Sequence, residues 1–158
     1  MSNKMSEKTW RRILEVLEVD ENKIQRVIEI IDNTSEESLN ATSKKSLYTE
    51  VTNVLRRLGI SAHLSGFTYL RAAIMRCVEE EEEGKIYRGY TTKLYPQIAN
   101  QFKTIPSSVE RSIGYAIEAA WLKGDIEYQN EVFGNRKRET PTNSEFIATI
   151  SDKIRGER

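Results

Sequence analysis

Residues 92–124 read TKLYPQIANQFKTIPSSVERSIGYAIEAAWLKG. Leu94, Ile98 and Ala99 recur at helical spacing and predict a short helix that ends near Phe102. Lys103, Thr104 and Ile105 make a tight connection, and a longer helix follows. Its start has two readings. Pro106 suits the first helical position, where its fixed φ fits and no N–H is required. Ser107 with Glu110 has the spacing of a capping box. Gly124 stops the helix after Lys123. Helix, short turn, longer helix is the helix-turn-helix arrangement, in which the first helix braces the second and the second offers its outer face to the major groove.

At about 100° per residue, Val109, Ile113, Ala116, Ile117 and Ala120 share one side of the longer helix and form its inward face. Ser107, Ser108, Arg111, Gly114, Tyr115 and Glu118 fall on the other side. Arg111 has the forked donors that match guanine O6 and N7. Ser107 and Ser108, near the helix start, suit a phosphate or a base edge. Gly114 leaves space for close backbone approach, at a helical cost of about 1 kcal/mol relative to Ala. The same spacing also describes an ordinary helical hairpin with a solvated outer face, and Glu118 and Tyr115 fit that reading.

Outward from this stretch, helical periodicity continues. Trp10, Ile13, Leu14 and Leu17 make one stripe, and Ile24, Val27, Ile28 and Ile31 make the next, with Asp20 placed to cap the second segment. Together they predict a small helical hairpin. Residues 32–46, DNTSEESLNATSKKS, are polar and rich in Ser, Thr and Asn, and are expected to form a linker and a domain boundary. Residues 1–46 are thus a hairpin with its linker, and 47–158 a second domain. That domain opens with Leu47, Val51, Val54, Leu55 and Leu58 on one stripe, and Gly59 is placed to stop it. A helix from about Phe67 turns Leu70, Ile74 and Val78 inward and ends in the solvated run Glu79 to Glu83, before Gly84 breaks it. Gly89-Tyr90-Thr91 is the one candidate for a short extended piece. The fold class read from the sequence is all-α: about eight helices, in a compact multi-helix domain with an embedded helix-turn-helix, preceded by the small hairpin.

Charge does not advertise a nucleic-acid binder, since 24 basic residues balance 24 acidic ones. The distribution is uneven. Residues 1–50 hold 8 basic and 10 acidic side chains, and 84–158 hold 12 and 9. A neutral total can therefore hide a basic face. The longest apolar runs are too short for a transmembrane helix, and the N-terminus lacks the apolar core of a secretory signal. One cysteine, Cys77, excludes an internal disulfide, and with one histidine, His63, it makes a zinc site a poor fit. No nucleophile has an evident base partner and no glycine-rich phosphate loop occurs, so no enzyme, cofactor or metal is expected. Cys77 reads as a buried thiol, His63 as structural and Trp121 as core. Arg136-Lys137-Arg138 reads equally as a solvated loop or a phosphate grip. A cytoplasmic, nucleoid-associated protein is expected.

The combined string of residues resembles the C-terminal DNA-binding domain of the stage zero sporulation protein A family, the response regulators that initiate endospore formation. It is carried by Ala62-His63, Gly66-Phe67, Tyr69-Leu70-Arg71, Ala73-Ile74-Met75, Leu94-Tyr95-Pro96, Ile98-Ala99, Val109-Glu110-Arg111, Ile113, Ala116-Ile117-Glu118, Ala120-Trp121, Gly124, Phe133-Gly134 and the run Pro141 to Ala148. The resemblance implies a compact all-helical domain that binds double-stranded promoter DNA, often as tandem copies, and touches an RNA polymerase sigma factor. By motif match, Glu110 and Arg111 correspond to recognition-helix residues that touch DNA. The chain departs from the family at Gly114 and Tyr115, where a basic residue and a histidine are usual. It departs again at Arg136-Lys137-Arg138, where the family is mostly uncharged. The family's receiver domain, built of alternating strands and helices, has no counterpart in residues 1–46, so phosphorylation control within these residues is not expected. Two functions follow: a DNA-binding transcriptional regulator that dimerises through residues 1–46, or an adaptor or antagonist that kept the fold and lost tight DNA binding.

Overall fold

Between Glu21 and Leu58 the sequence has neither glycine nor proline, so no residue there obliges a helix to stop. The computed structural model describes residues 6–16, 21–82, 90–134 and 139–157. In it one helix, α2 (Glu21–Arg57), runs the whole way, preceded by α1 (Glu7–Val16). Residues 32–46 are therefore helical and not the irregular linker their composition suggested. The hydroxyls of this stretch find partners inside the helix. The hydroxyls of Thr34, Ser35 and Thr42 donate to the carbonyls of Ile30, Ile31 and Ser38 at 2.7, 2.7 and 2.9 Å. Ser and Thr that bond back in this way are accommodated within the helix and do not break it.

The chain divides into two compact units, Met1–Lys45 and Ser46–Arg158. In the first, Ile24 is buried, Trp10, Val27, Ile28 and Ile31 are half-buried, and Val16 and Ile30 are exposed. Asp20, Leu17 and the side chain of Leu14 lie outside the described residues.

In the second unit Gly59 ends α2 with φ at 90°. The Gly59 N–H donates to the Arg56 carbonyl and the Ile60 N–H to the Leu55 carbonyl, both at 3.0 Å. This is the paired-bond ending that a left-handed glycine permits, with buried Leu55 and Ile60 as its apolar contact. The chain then enters α3 (Ser65–Glu82), which buries Phe67, Leu70, Ala73, Ile74, Cys77 and Val78. It carries the glutamates as far as Glu82, with Glu79 and Glu80 half-buried. A π-helical turn, Tyr90–Leu94, leads into α4 (Tyr95–Gln101). Tyr90 and Thr91 are thus helical rather than extended, while Gly84 and Gly89 lie outside the described residues. Then come α5 (Pro106–Lys123), α6 (Ile126–Phe133) and α7 (Asn143–Gly156). Seven α-helices and one π-turn, with no strand, make the described residues all-α.

Local chemistry starts the last two helices. Asp125 accepts from the N–H groups of Glu127 and Tyr128 at 3.0 and 3.1 Å and caps α6. Thr142 and Glu145 close a reciprocal capping box on α7. Helix α7 buries Phe146, Ile147, Ile150 and Ile154, and packs mainly on α3. Trp121 is half-buried and stacks edge-on against Phe133, with ring centres 5.0 Å apart. Burial, and after it the Glu80 carboxylate, pushes the Cys77 thiol up to about 12, which keeps it protonated and unreactive.

Helices α3 and α5 meet at backbone distance at Gly66. A Cβ added there would lie 2.1 Å from the Ser112 carbonyl oxygen and 2.7 Å from the Ala116 methyl. Only a residue without a side chain fits. Gly66→Ala is expected to cost about 1–3 kcal/mol through overpacking, read as a lower urea midpoint with an unchanged slope. A substitution that leaves the midpoint in place would show that α3 and α5 can part without penalty.

Candidate nucleic-acid interface

Helix α4 buries Tyr95, Ile98 and Ala99 and so braces α5 from one side. The turn between them closes in the same way as the end of α2. The Thr104 N–H donates to the Ala99 carbonyl at 2.9 Å and the Lys103 N–H to the Asn100 carbonyl at 3.4 Å. The left-handed position is filled by Lys103, with φ at 53°.

Of the two readings for the start of α5, the structure takes Pro106. Ile105 is the N-cap in an extended conformation, and no side chain caps the helix, so Ser107 does not play that part. The far end is tied by Gln129, a buried side chain whose amide donates to the carbonyls of Ala120 and Leu58 at 3.0 and 3.2 Å. It thereby satisfies the C-terminal ends of α5 and α2 together. Gly124 makes room for this. A Cβ there would fall 2.5 Å from the Gln129 amide, the Ala120 oxygen and the Leu58 oxygen alike.

Between these two fixed ends, Val109, Ile113, Ala116, Ile117 and Ala120 are all buried. On the opposite side Ser107, Glu110, Arg111, Tyr115 and Glu118 are exposed, while Ser108 and Gly114 are half-buried. The helix thus shows solvent a face bearing one guanidinium, two carboxylates, hydroxyls and a phenol. Arg136, Lys137 and Arg138 lie outside the described residues.

Gly114 is not an open notch. The Asn143 amide, at the start of α7, lies against it, and a Cβ on Gly114 would be 3.4 Å from Asn143 Oδ1. Asn143 Nδ2 donates to the Glu110 carbonyl at 2.9 Å. Its side chain also hydrogen-bonds Tyr95, whose hydroxyl is pushed up by burial, with the Asn143 bond acting the other way. One amide therefore joins α4, α5 and α7. Neither Asn143 nor Gln129 was singled out as a site residue from the sequence. Asn143 sits in the Pro141 to Ala148 run, but its partners are 33 residues away or more, beyond any local pattern.

The family described as Sporulation initiation factor Spo0A C terminal matches residues 51–154. The chain belongs to this family, which is that of the DNA-binding effector domain of a sporulation regulator. The matched stretch contains α3 to α6 whole, the π-turn, the end of α2 and nearly all of α7. No helix among the described residues is long and apolar enough to cross a membrane.

Asn143→Ala removes a bond to a carbonyl that also accepts within its own helix, but it leaves the buried Tyr95 hydroxyl without that partner. The expected loss is about 1–3 kcal/mol. Tyr95→Phe in the same background should recover part of it, measured as a double-mutant cycle in urea. Full additivity would mean that the two side chains do not interact.

Proposed function

We propose that this member of the Spo0A C-terminal family is a sequence-specific DNA-binding transcriptional regulator of the sporulation-initiation type. In this reading no receiver within residues 1–158 controls it. The observation that carries the proposal is α5 itself: a helix pinned at both ends and along its inner face, with a polar, Arg-bearing face left to solvent. Arg111 and Glu110 would read base edges in the major groove, and Ser107, Ser108 and Tyr115 would contact the groove walls and backbone. Gly114 supplies no side chain of its own to the face. Arg136, Lys137 and Arg138 would hold phosphates. Contact with an RNA polymerase sigma factor belongs to the same reading.

From Glu7 on, the described residues that precede the matched region are helical, in α1 and the first part of α2. Their apolar side chains are only partly covered within Met1–Lys45: Ile30 remains 63% exposed and Val16 81%. A second copy of this hairpin would cover them, and a homodimer raises the effective concentration of the second reading helix on repeated sites.

A second reading rests on a separate observation. Tyr115 is 62% exposed, Leu122 84% and Ile126 68%, on the outer side of α5 and the start of α6. Large exposed apolar side chains suit a protein partner, as an adaptor or antagonist would need. Salt separates the two readings. Selection from random duplex DNA followed by anisotropy should give a preferred site whose affinity falls steeply with salt. At that site Arg111→Ala should cost about 1–3 kcal/mol and blur one position of the motif. A folded variant with unchanged affinity and motif would remove Arg111 from base reading, and a wild-type chain without salt-dependent binding would favour the adaptor.

For the hairpin, sedimentation of the full chain beside a form beginning at Leu47 is the measurement. The full chain should run as a dimer at micromolar concentration and the shortened form as a monomer. Two monomers would confine any dimer to DNA.

A further inference from the structure

Lys103 is the only non-glycine residue with positive φ among the described residues, at 53°. It stands where the α4 ending demands a left-handed residue, the position glycine usually fills because it has no Cβ to crowd the carbonyl. Any other L-residue is strained there, and only Asn and Asp adopt this conformation at all readily. Among the described residues nothing repays the strain through the lysine side chain. Lys103 is exposed, and its ammonium makes no ion pair or hydrogen bond among the described residues. The turn's own bonds use only backbone atoms, the N–H groups of Lys103 and Thr104 and the carbonyls of Asn100 and Ala99. Glycine or asparagine would make both.

Position supplies what the fold does not. Lys103 lies three residues before Pro106, the first residue of α5, and exposed Ser107 follows immediately on that helix. In a helix-turn-helix the second helix enters the major groove N-terminus first, which brings the turn ahead of it to the groove's edge, where the phosphates run. A flexible cation suits that place, since phosphate contacts need charge and reach rather than a fixed fork.

We propose that Lys103 is a phosphate-contacting residue, held in a strained turn because its ammonium grips the DNA backbone beside the entering end of α5. The proposal rests on the DNA-binding reading above and adds to it a residue that fixes register without reading sequence.

The experiment compares the full chain with Lys103→Gly, Lys103→Asn and Lys103→Arg on a mixed-sequence duplex, across a salt series and alongside thermal melts. Lys103→Gly should melt about 2–5 °C higher, because the strain is gone. It should nevertheless bind about fivefold more weakly at 0.15 M salt, with the slope of log affinity against log salt reduced by about 0.9. Lys103→Asn should lose the same affinity, and Lys103→Arg should keep it. It is the opposed movement of stability and affinity that a merely structural lysine would not give. If the wild-type chain binds with a clear salt slope and the Gly and Asn variants match it, the proposal is overturned while the DNA-binding reading stands. If the wild-type chain shows no salt-dependent binding, both fall together.

Discussion

The fold depends on how closely α3 lets α5 approach. At Gly66 the two backbones touch, with the Ser112 carbonyl where a side chain would otherwise be. That contact sets the depth at which Val109, Ile113, Ala116 and Ile117 sink into the core, and so how far the opposite face of α5 stands out. Gly59 and Gly124 repeat the device at the far end, where a Cβ on Gly59 would lie 2.6 Å from the Gly124 Cα. The Gln129 amide then closes the ends of α2 and α5 with one side chain. Around these contacts α7 completes the core from the α3 side, and Arg57 and Arg71 lie over the rings of Tyr128 and Tyr48 at 3.8 and 4.1 Å. The cation–aromatic contacts tie α2 to α6 and to α3 with groups that also reach solvent.

The second unit was legible in the sequence where periodicity is local. The α5 faces, the α3 stripe and the Gly59 stop are each set by residues within a few positions of one another, and 100° per residue is enough to find them. Reading failed where composition stood in for geometry. Residues 32–46 looked like a linker because they are polar. Yet a polar stretch without Gly or Pro has no residue that obliges a helix to stop, and its hydroxyls find partners in the carbonyls of the preceding turn. Helix α2 also carries two apolar stripes about half a turn out of phase, since Ile24 and Val51 are 27 residues apart. The polar segment is the interval in which one stripe gives way to the other. The links made by Asn143 and Gln129 were invisible for a different reason. Each joins residues distant in the chain, and an amide that bridges helices has no periodic signature.

The charge balance makes rigidity matter more here than in a strongly basic DNA binder. With 24 basic and 24 acidic side chains, the chain as a whole offers a duplex little long-range attraction. On α5 itself the guanidinium of Arg111 is outnumbered by the exposed carboxylates Glu110 and Glu118, so the outer face carries no surplus of positive charge. A protein of this kind cannot compensate for a poorly aimed helix with a broad field of cations. On the DNA-binding reading its affinity would come from a few groups, and each would have to arrive at the right height and angle. A helix fixed at Gly66 along its inner side, at Gln129 at its end and at Asn143 beside Gly114 would meet that requirement, because these contacts leave it little freedom to rotate or slide. On the DNA-binding reading the carboxylates would act as a filter, since Glu110 and Glu118 are tolerated only where the face meets base edges or water and are repelled wherever it meets phosphate. On the DNA-binding reading, specificity in this chain is built more from aim and exclusion than from attraction.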